Sequence, residues 1–200
     1  MSRNLKLIFS AILAFLLVVG YLAVERLTAP PPPDRPPTAS AIGGPFSLVD
    51  QNGVRRTDAD FRGRYMLVNF GYTGCPDFCP VVVQAISDAL SMLGAQADKL
   101  QPIFITVDPA RDQPQQLKAF LDAFDKRFVG LTGTEDEIKA AMRAYRVFAA
   151  KKEPDASGNY TVDHTTLTYL IDPDGKYVTH LRHNLTAEQM AELLKANLKP

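Results

Sequence analysis

Phe70-Gly71-Tyr72-Thr73-Gly74-Cys75-Pro76-Asp77-Phe78-Cys79-Pro80 holds both cysteines of the 200-residue chain. The apolar run Met66-Leu67-Val68-Asn69-Phe70 leading into it is short enough for a buried strand, and from Pro80 a helical pattern runs to Leu93, stopped by Gly94. The cysteines therefore stand where a strand turns into a helix. Backbone N–H groups at a helix N-terminus stabilise a thiolate, so the position predicts a lowered thiol pKa, and Gly71 and Gly74 are read as letting the loop bend tightly. Three residues separate Cys75 from Cys79. With Cys79 in the first helical turn, that spacing brings both sulfurs to one face, within reach of one soft metal ion or of each other as a disulfide. A purely structural cross-link over so short a loop would contribute only about 2 kcal/mol. Two thiols packed as small hydrophobes accord poorly with the flanking Pro76 and Pro80.

Outward from this loop, Phe46 and Leu48 alternate with polar residues ahead of Asn52-Gly53, a hairpin turn signal. Pro102 to Val107 is a second apolar, β-branched run, so strand, helix, strand predicts a parallel pair with a right-handed crossover. Asp112-Gln113-Pro114-Gln115 reads as a capped helix start with Leu117, Phe120, Leu121 and Phe124 as its apolar stripe. Thr134 with Glu137 makes a capping box ahead of Ile138 to Tyr145. Thr165 to Ile171, the turn Asp172-Pro173-Asp174-Gly175 and Lys176 to Leu181 read as a β-hairpin. A last helix begins near Thr186, with Met190, Leu193 and Leu194 on one face. The order ββ, βαβ, αα, ββα predicts an α/β thioredoxin-like sandwich with an N-terminal β-hairpin and a helical insertion. The sequence shows no internal repeat and no phosphate-binding glycine loop.

Lys+Arg and Asp+Glu balance at 22 each, which excludes the basic excess of a nucleic-acid binder, and 46% hydrophobic content suffices for one domain with a core. Leu7 to Val24 is a charge-free run of eighteen residues behind Arg3 and Lys6, long enough to span a bilayer. It exits through Tyr21, where a cleavable signal needs a small residue, so an uncleaved single transmembrane anchor is expected, its basic tip cytoplasmic and everything beyond Glu25 across the membrane. The expected division is 1–28 tip and anchor, 29–40 a proline-rich, semi-rigid stalk, and 41–200 the globular domain, which should fold as a soluble monomer. The cysteines then work in an oxidising compartment. With no Arg- and Ser-rich transit peptide ahead of the anchor, a bacterial inner membrane with the domain in the periplasm is expected.

Tyr160-Thr161-Val162-Asp163-His164 leads into the last hairpin, whose strands should flank the strand that delivers Cys75, so the loop carrying His164 is expected near the start of the cysteine-bearing helix; taken alone, a His before a strand is more often a surface or hydrogen-bonded residue. Two thiolates and one imidazole favour copper over magnesium, calcium or manganese. Asp163 is either an orienting partner for the His164 ring or a turn residue. His180 and His183 are read as surface residues rather than a second metal site. Arg111 and Asp112, at the end of the second parallel strand, are expected to form a docking surface or to hold the cysteine loop, with Asp112 also capping the next helix.

From Gly44 onward the chain resembles the Sco/SenC family of membrane-anchored copper chaperones for cytochrome oxidase. The resemblance rests on Gly44-Pro45-Phe46, Phe70 to Pro80, Val107-Asp108-Pro109-Ala110-Arg111-Asp112, Leu131-Thr132-Gly133, and Asp163-His164 before Tyr169-Leu170. It implies that Cys75, Cys79 and His164 are the ligands of copper, Cu(I) or Cu(II), on a thioredoxin-like domain behind a single N-terminal anchor. It further implies delivery of copper to the binuclear copper site of a cytochrome c oxidase subunit or another cuproprotein, reduction of that partner's cysteines through a redox-active Cys75–Cys79 disulfide, or both. Thr165 stands where the family's Asp-His-Ser pattern has Ser. A metal-free thiol-disulfide oxidoreductase of the thioredoxin kind has two residues between its cysteines, usually after a Trp; this chain has three and no Trp. Thiol peroxidases lean on that Trp or on a Thr where Tyr72 stands. A thiol-disulfide oxidoreductase or a redox sensor acting on the cysteines of a cuproprotein partner is the remaining alternative, so thiol-disulfide reductase activity stays open beside a metallochaperone role.

Overall fold

The computed structural model describes residues 42–76 and 78–199. The expected anchor at 7–24, the stalk at 29–40 and the domain start at 41 lie outside the described residues. β1 (Ser47–Asp50) and β2 (Arg55–Thr57) are the antiparallel pair expected around Asn52-Gly53. Gly53 takes a φ of 80°, which suits glycine, and Asp50 Oδ1 accepts the backbone N–H groups of Asn52 and Val54, each at 2.9 Å.

β3 (Tyr65–Gly71) is buried along its whole length and pairs in parallel with β4 (Leu100–Thr106) through the crossover helix α1 (Phe78–Leu93). A strand covered on both faces reads as a continuous apolar run, which is why Met66 to Phe70 was legible. After α2 (Pro114–Leu121), β5 (Val129–Thr132) adds to β4 in parallel and to β1 in the antiparallel sense. After α3 (Glu135–Tyr145), β6 (Ala149–Lys151) and β7 (Val162–His164) form a separate antiparallel ribbon. β8 (Leu167–Ile171) and β9 (Tyr177–Arg182) are the expected hairpin, β8 lies antiparallel to β3, and α4 (Ala187–Asn197) ends the fold. The main sheet runs β2-β1-β5-β4-β3-β8-β9. This is the thioredoxin-like α/β arrangement, with the N-terminal hairpin at one edge.

Alternation along β3 divides the core. Met66, Val68 and Phe70 pack with Ile138, Ala141 and Tyr145 of α3. Tyr65 and Leu67 face Val83, Ile86 and Leu90 of α1, Leu117 of α2, and Met190 and Leu194 of α4. Helices thus cover both faces of the sheet, as its central parallel strands β3, β4 and β5 require. The expected capping box, Thr134 with Glu137, starts α3, and a second box, Thr186 with Gln189, starts α4.

Three expectations change. The adjacent helices αα are separated by β5, whose four residues carry Gly130 at a position where a Cβ would come 2.6 Å from Leu121 Cδ1. His164 ends a strand rather than lying in a loop. Asp112 does not cap α2: the N-cap is Gln113, with no side-chain cap bond, because the Asp112 carboxylate is drawn inward to Thr73 and Thr106. Among the described residues, Phe78–Lys99 is long and apolar enough to cross a membrane by length and composition, yet its Val83, Ile86, Ala89 and Leu90 are core residues of this domain.

Candidate metal centre

β3 ends at Gly71, and the chain turns through Tyr72 to Gly74, with the Cys75 N–H donating to the Tyr72 carbonyl at 3.3 Å. The helix begins at Phe78, two residues before the expected start at Pro80, so Cys79 falls in the first turn of α1 and is 3% exposed, whereas Cys75 is half-buried before the helix. The two sulfurs are thiols, not a disulfide. The Cys79 N–H points at Cys75 Sγ at 3.5 Å, so a backbone donor of the first helical turn is aimed at the outer sulfur.

Neither Gly71 nor Gly74 takes a positive φ, and Gly71 matters here by what it lacks rather than by bending. A Cβ on Gly71 would lie 2.9 Å from Cys79 Sγ and 2.9 Å from the Phe104 ring, so glycine leaves the room that the inner sulfur occupies. That enclosure reverses the expected pKa at Cys79. Burial pushes its thiol well up, and the nearby Cys75 sulfur adds to the rise; the Tyr72 backbone N–H works the other way but is outweighed. The helix N-terminus therefore does not produce a standing thiolate at Cys79.

His164 comes from the far ribbon, its position set by the pairing of Ala149 with His164 and by the Thr165 N–H bond to the Phe148 carbonyl at 3.0 Å. Its Nε2 lies 3.7 Å from Cys79 Sγ, across a cleft lined by Asn69, Phe70, Phe78, Val82 and Thr166. Its Nδ1 is 3.0 Å from the Thr165 carbonyl oxygen. A carbonyl only accepts, so Nδ1 carries the proton and the Nε2 lone pair faces the sulfur. Tyr72 stands edge-on to the imidazole, ring centroids 6.1 Å apart.

Asp163 is not the partner that orients the ring; it is exposed and pairs with Lys152 at 3.0 Å, and the Thr165 carbonyl takes the orienting role. The Thr165 hydroxyl accepts the Phe148 N–H at 3.0 Å, fastening the ribbon next to His164. His180 bonds the Tyr177 hydroxyl at 2.6 Å, while His183 contacts Thr166 at 3.1 Å and stands edge-on to Phe78. Cys79 and His164 are brought together, with Cys75 beside Cys79. Among the described residues no group of three or more His, Cys, Asp or Glu is already closed around a metal position. The fastening of Val162 N–H to the Tyr72 hydroxyl at 3.3 Å, which links the two halves of the site, had no signal in the sequence.

A family model described as SCO1/SenC matches residues 34–199. The chain is 41% identical over 155 residues to the SCO2-like protein RP587 of Rickettsia prowazekii, covering 77% of this chain and 76% of that protein. Among solved structures it is similar to Bradyrhizobium japonicum ScoI with copper bound, at 47% identity and a TM-score of 0.73, over 79% of this chain and 100% of that one. It is also similar to BsSco, a member of the Sco family of cytochrome c oxidase assembly proteins in which a disulfide switch was identified, at 26% identity and a TM-score of 0.63, over 80% of this chain and 94% of that one.

Proposed function

The chain belongs to the SCO1/SenC family, and on that premise we propose that it takes up copper through Cys75, Cys79 and His164 and supplies it to the binuclear copper site of cytochrome c oxidase. Copper is the metal that such proteins carry, and oxidase assembly is the setting to which the family is tied. The single observation that carries the residue assignment is the placement of the His164 ring, with Nδ1 at 3.0 Å from the Thr165 carbonyl oxygen and Nε2 facing the buried sulfur at 3.7 Å. Borrowing metal–ligand lengths of about 2.3 Å for sulfur and about 2.0–2.1 Å for nitrogen, that separation is close to what two donors on one ion adopt at a near-tetrahedral angle. Cys75 supplies the third donor from the half-buried side of the pair, next to Cys79.

Copper is cargo here, and the side chains do the handling. Entry displaces the thiol protons, because the thiolate is the ligand. With two thiolates and a neutral imidazole the site carries −1 with Cu(I) and is neutral with Cu(II), so neither state leaves a large buried charge. Oxidation of Cys75 and Cys79 to a disulfide removes both sulfur donors and switches loading off. The same pair, once reduced, is able to exchange with a disulfide on the recipient, and the thioredoxin-like fold suits that second reading. The N-terminal apolar run would tether the monomeric domain to a bacterial inner membrane, with the proline-rich stalk holding it off the periplasmic surface.

Anaerobic copper loading of the reduced full chain, followed by metal analysis, tests the reading. One Cu(I) per chain is expected, and none after disulfide oxidation or in Cys75→Ala and Cys79→Ala. Stoichiometric copper retained by either cysteine variant contradicts it. A recipient whose cysteines are reduced without gaining copper favours thiol exchange.

A further inference from the structure

The loop between β4 and α2 touches both halves of the proposed copper site, and the proposal below rests on that site. Asp112, 1% exposed, accepts the Thr73 N–H at 2.9 Å and the Thr73 hydroxyl at 2.6 Å, and its Oδ2 also accepts the Thr106 hydroxyl at 2.7 Å. One carboxylate thus ties the end of β4 to the residue two positions before Cys75. Arg111, the preceding residue, reaches the other way. Its Nη1 donates to the Tyr160 carbonyl at 2.9 Å and its guanidinium lies 3.7 Å over the Tyr160 ring, four positions before His164. Asp108 pairs with Arg111 and accepts the Tyr160 hydroxyl at 2.9 Å. The guanidinium also stands 5.5 Å from the Tyr72 ring, which contacts His164.

We propose that Arg111 and Asp112 are positioning residues that set the separation between the cysteine loop and His164, Asp112 holding the sulfur side and Arg111 the imidazole side. Neither contacts the cleft between Cys79 and His164. The physical argument is that the ribbon carrying His164 is a separate two-stranded sheet, unsupported by the main sheet's hydrogen bonds, so its placement depends on such links. Groups that orient a metal ligand from behind are worth about 10- to 100-fold in metal affinity. A guanidinium that both donates in a plane and stacks on a ring is not replaced by a lysine ammonium.

The two sides give different outcomes. Cu(I) is satisfied by two sulfurs, whereas Cu(II) prefers tetragonal coordination with a nitrogen donor. The experiment titrates the reduced full chain in detergent with Cu(I) and Cu(II) and records the thiolate-to-Cu(II) absorption for wild type, Arg111→Ala, Arg111→Lys, Asp112→Ala and His164→Ala. Arg111→Ala is expected to bind Cu(II) about 10- to 100-fold more weakly, with absorption displaced toward that of His164→Ala, while keeping one Cu(I) per chain. Arg111→Lys should behave likewise, and Asp112→Ala should weaken both oxidation states. A wild-type spectrum in Arg111→Ala, or full rescue by Arg111→Lys, overturns the proposal, as does equal loss of Cu(I) and Cu(II) binding in Arg111→Ala. Should Arg111→Ala fail to fold, Arg111→Lys decides by the same spectrum. If His164→Ala itself matches wild type, the copper-site reading fails and the positioning role falls with it; if His164→Ala behaves as that reading requires and the Arg111 variants match wild type, only the positioning role is wrong.

Discussion

At Gly71 the fold and the chemistry meet in a missing methyl group. A Cβ there would sit 2.9 Å from both Cys79 Sγ and the Phe104 ring, and neither has space to retreat, Phe104 being fully buried. Overpacking of this kind costs about 1–3 kcal/mol. Gly71→Ala is therefore expected to lower the unfolding temperature of the apo protein and to displace the Cu(II) absorption, since the intruding methyl bears on the sulfur proposed as a ligand. An unfolding temperature equal to wild type would show that the contact is not tight. At this scale the sequence was informative about identity and poor about environment. Cys75 and Cys79 stood out because their residue type and spacing point to soft-metal chemistry, and His164 because of the family resemblance. That burial would outweigh the helix N-terminus at Cys79, or that the Thr165 carbonyl rather than Asp163 would orient the imidazole, depends on neighbours remote in the chain.

Among the elements, the β1–β2 hairpin shows how a local signal survives into tertiary structure. Burial alone would raise the Asp50 carboxyl, but the bonds it accepts from Val54, Arg56 and Asn52 outweigh burial and hold it below its ordinary value. A depressed carboxylate contributes stability above the unfolded-chain pKa of about 3.9, and loses it as pH falls through the lower folded value. Asp50→Asn should consequently be less stable than wild type near neutral pH, with the two unfolding temperatures converging in acid; a gap that stays constant down to about pH 2 contradicts this account. The capping box at Thr134 was equally legible, because a cap is a contact across three residues. β5 and the β6–β7 ribbon were not. β5 has four residues with Gly130 among them, and it is a strand because β4 and β1 pair with it on either side. Ala149 and His164 pair across fifteen positions, beyond the reach of any periodicity.

Over the whole molecule, the sheet brings a strand end, a helix start and a separate ribbon to one place, and the site is assembled by elements that no local pattern joins. The order of strands around β3 predicted that His164 would approach the cysteines, and the 3.7 Å approach to Cys79 agrees with it. What the order could not supply is the set of links behind the site: Tyr72 to Val162, Asp112 to Thr73, and Arg111 to Tyr160. The central claim is that one imidazole and two thiolates share a copper ion. Its most direct test is copper titration of reduced wild type and His164→Ala, followed by visible spectroscopy. The account predicts that His164→Ala loses stable Cu(II) binding and the thiolate charge-transfer absorption while Cu(I) binding weakens but survives, since two sulfurs alone hold Cu(I). A Cu(II) spectrum in His164→Ala indistinguishable from wild type would contradict it.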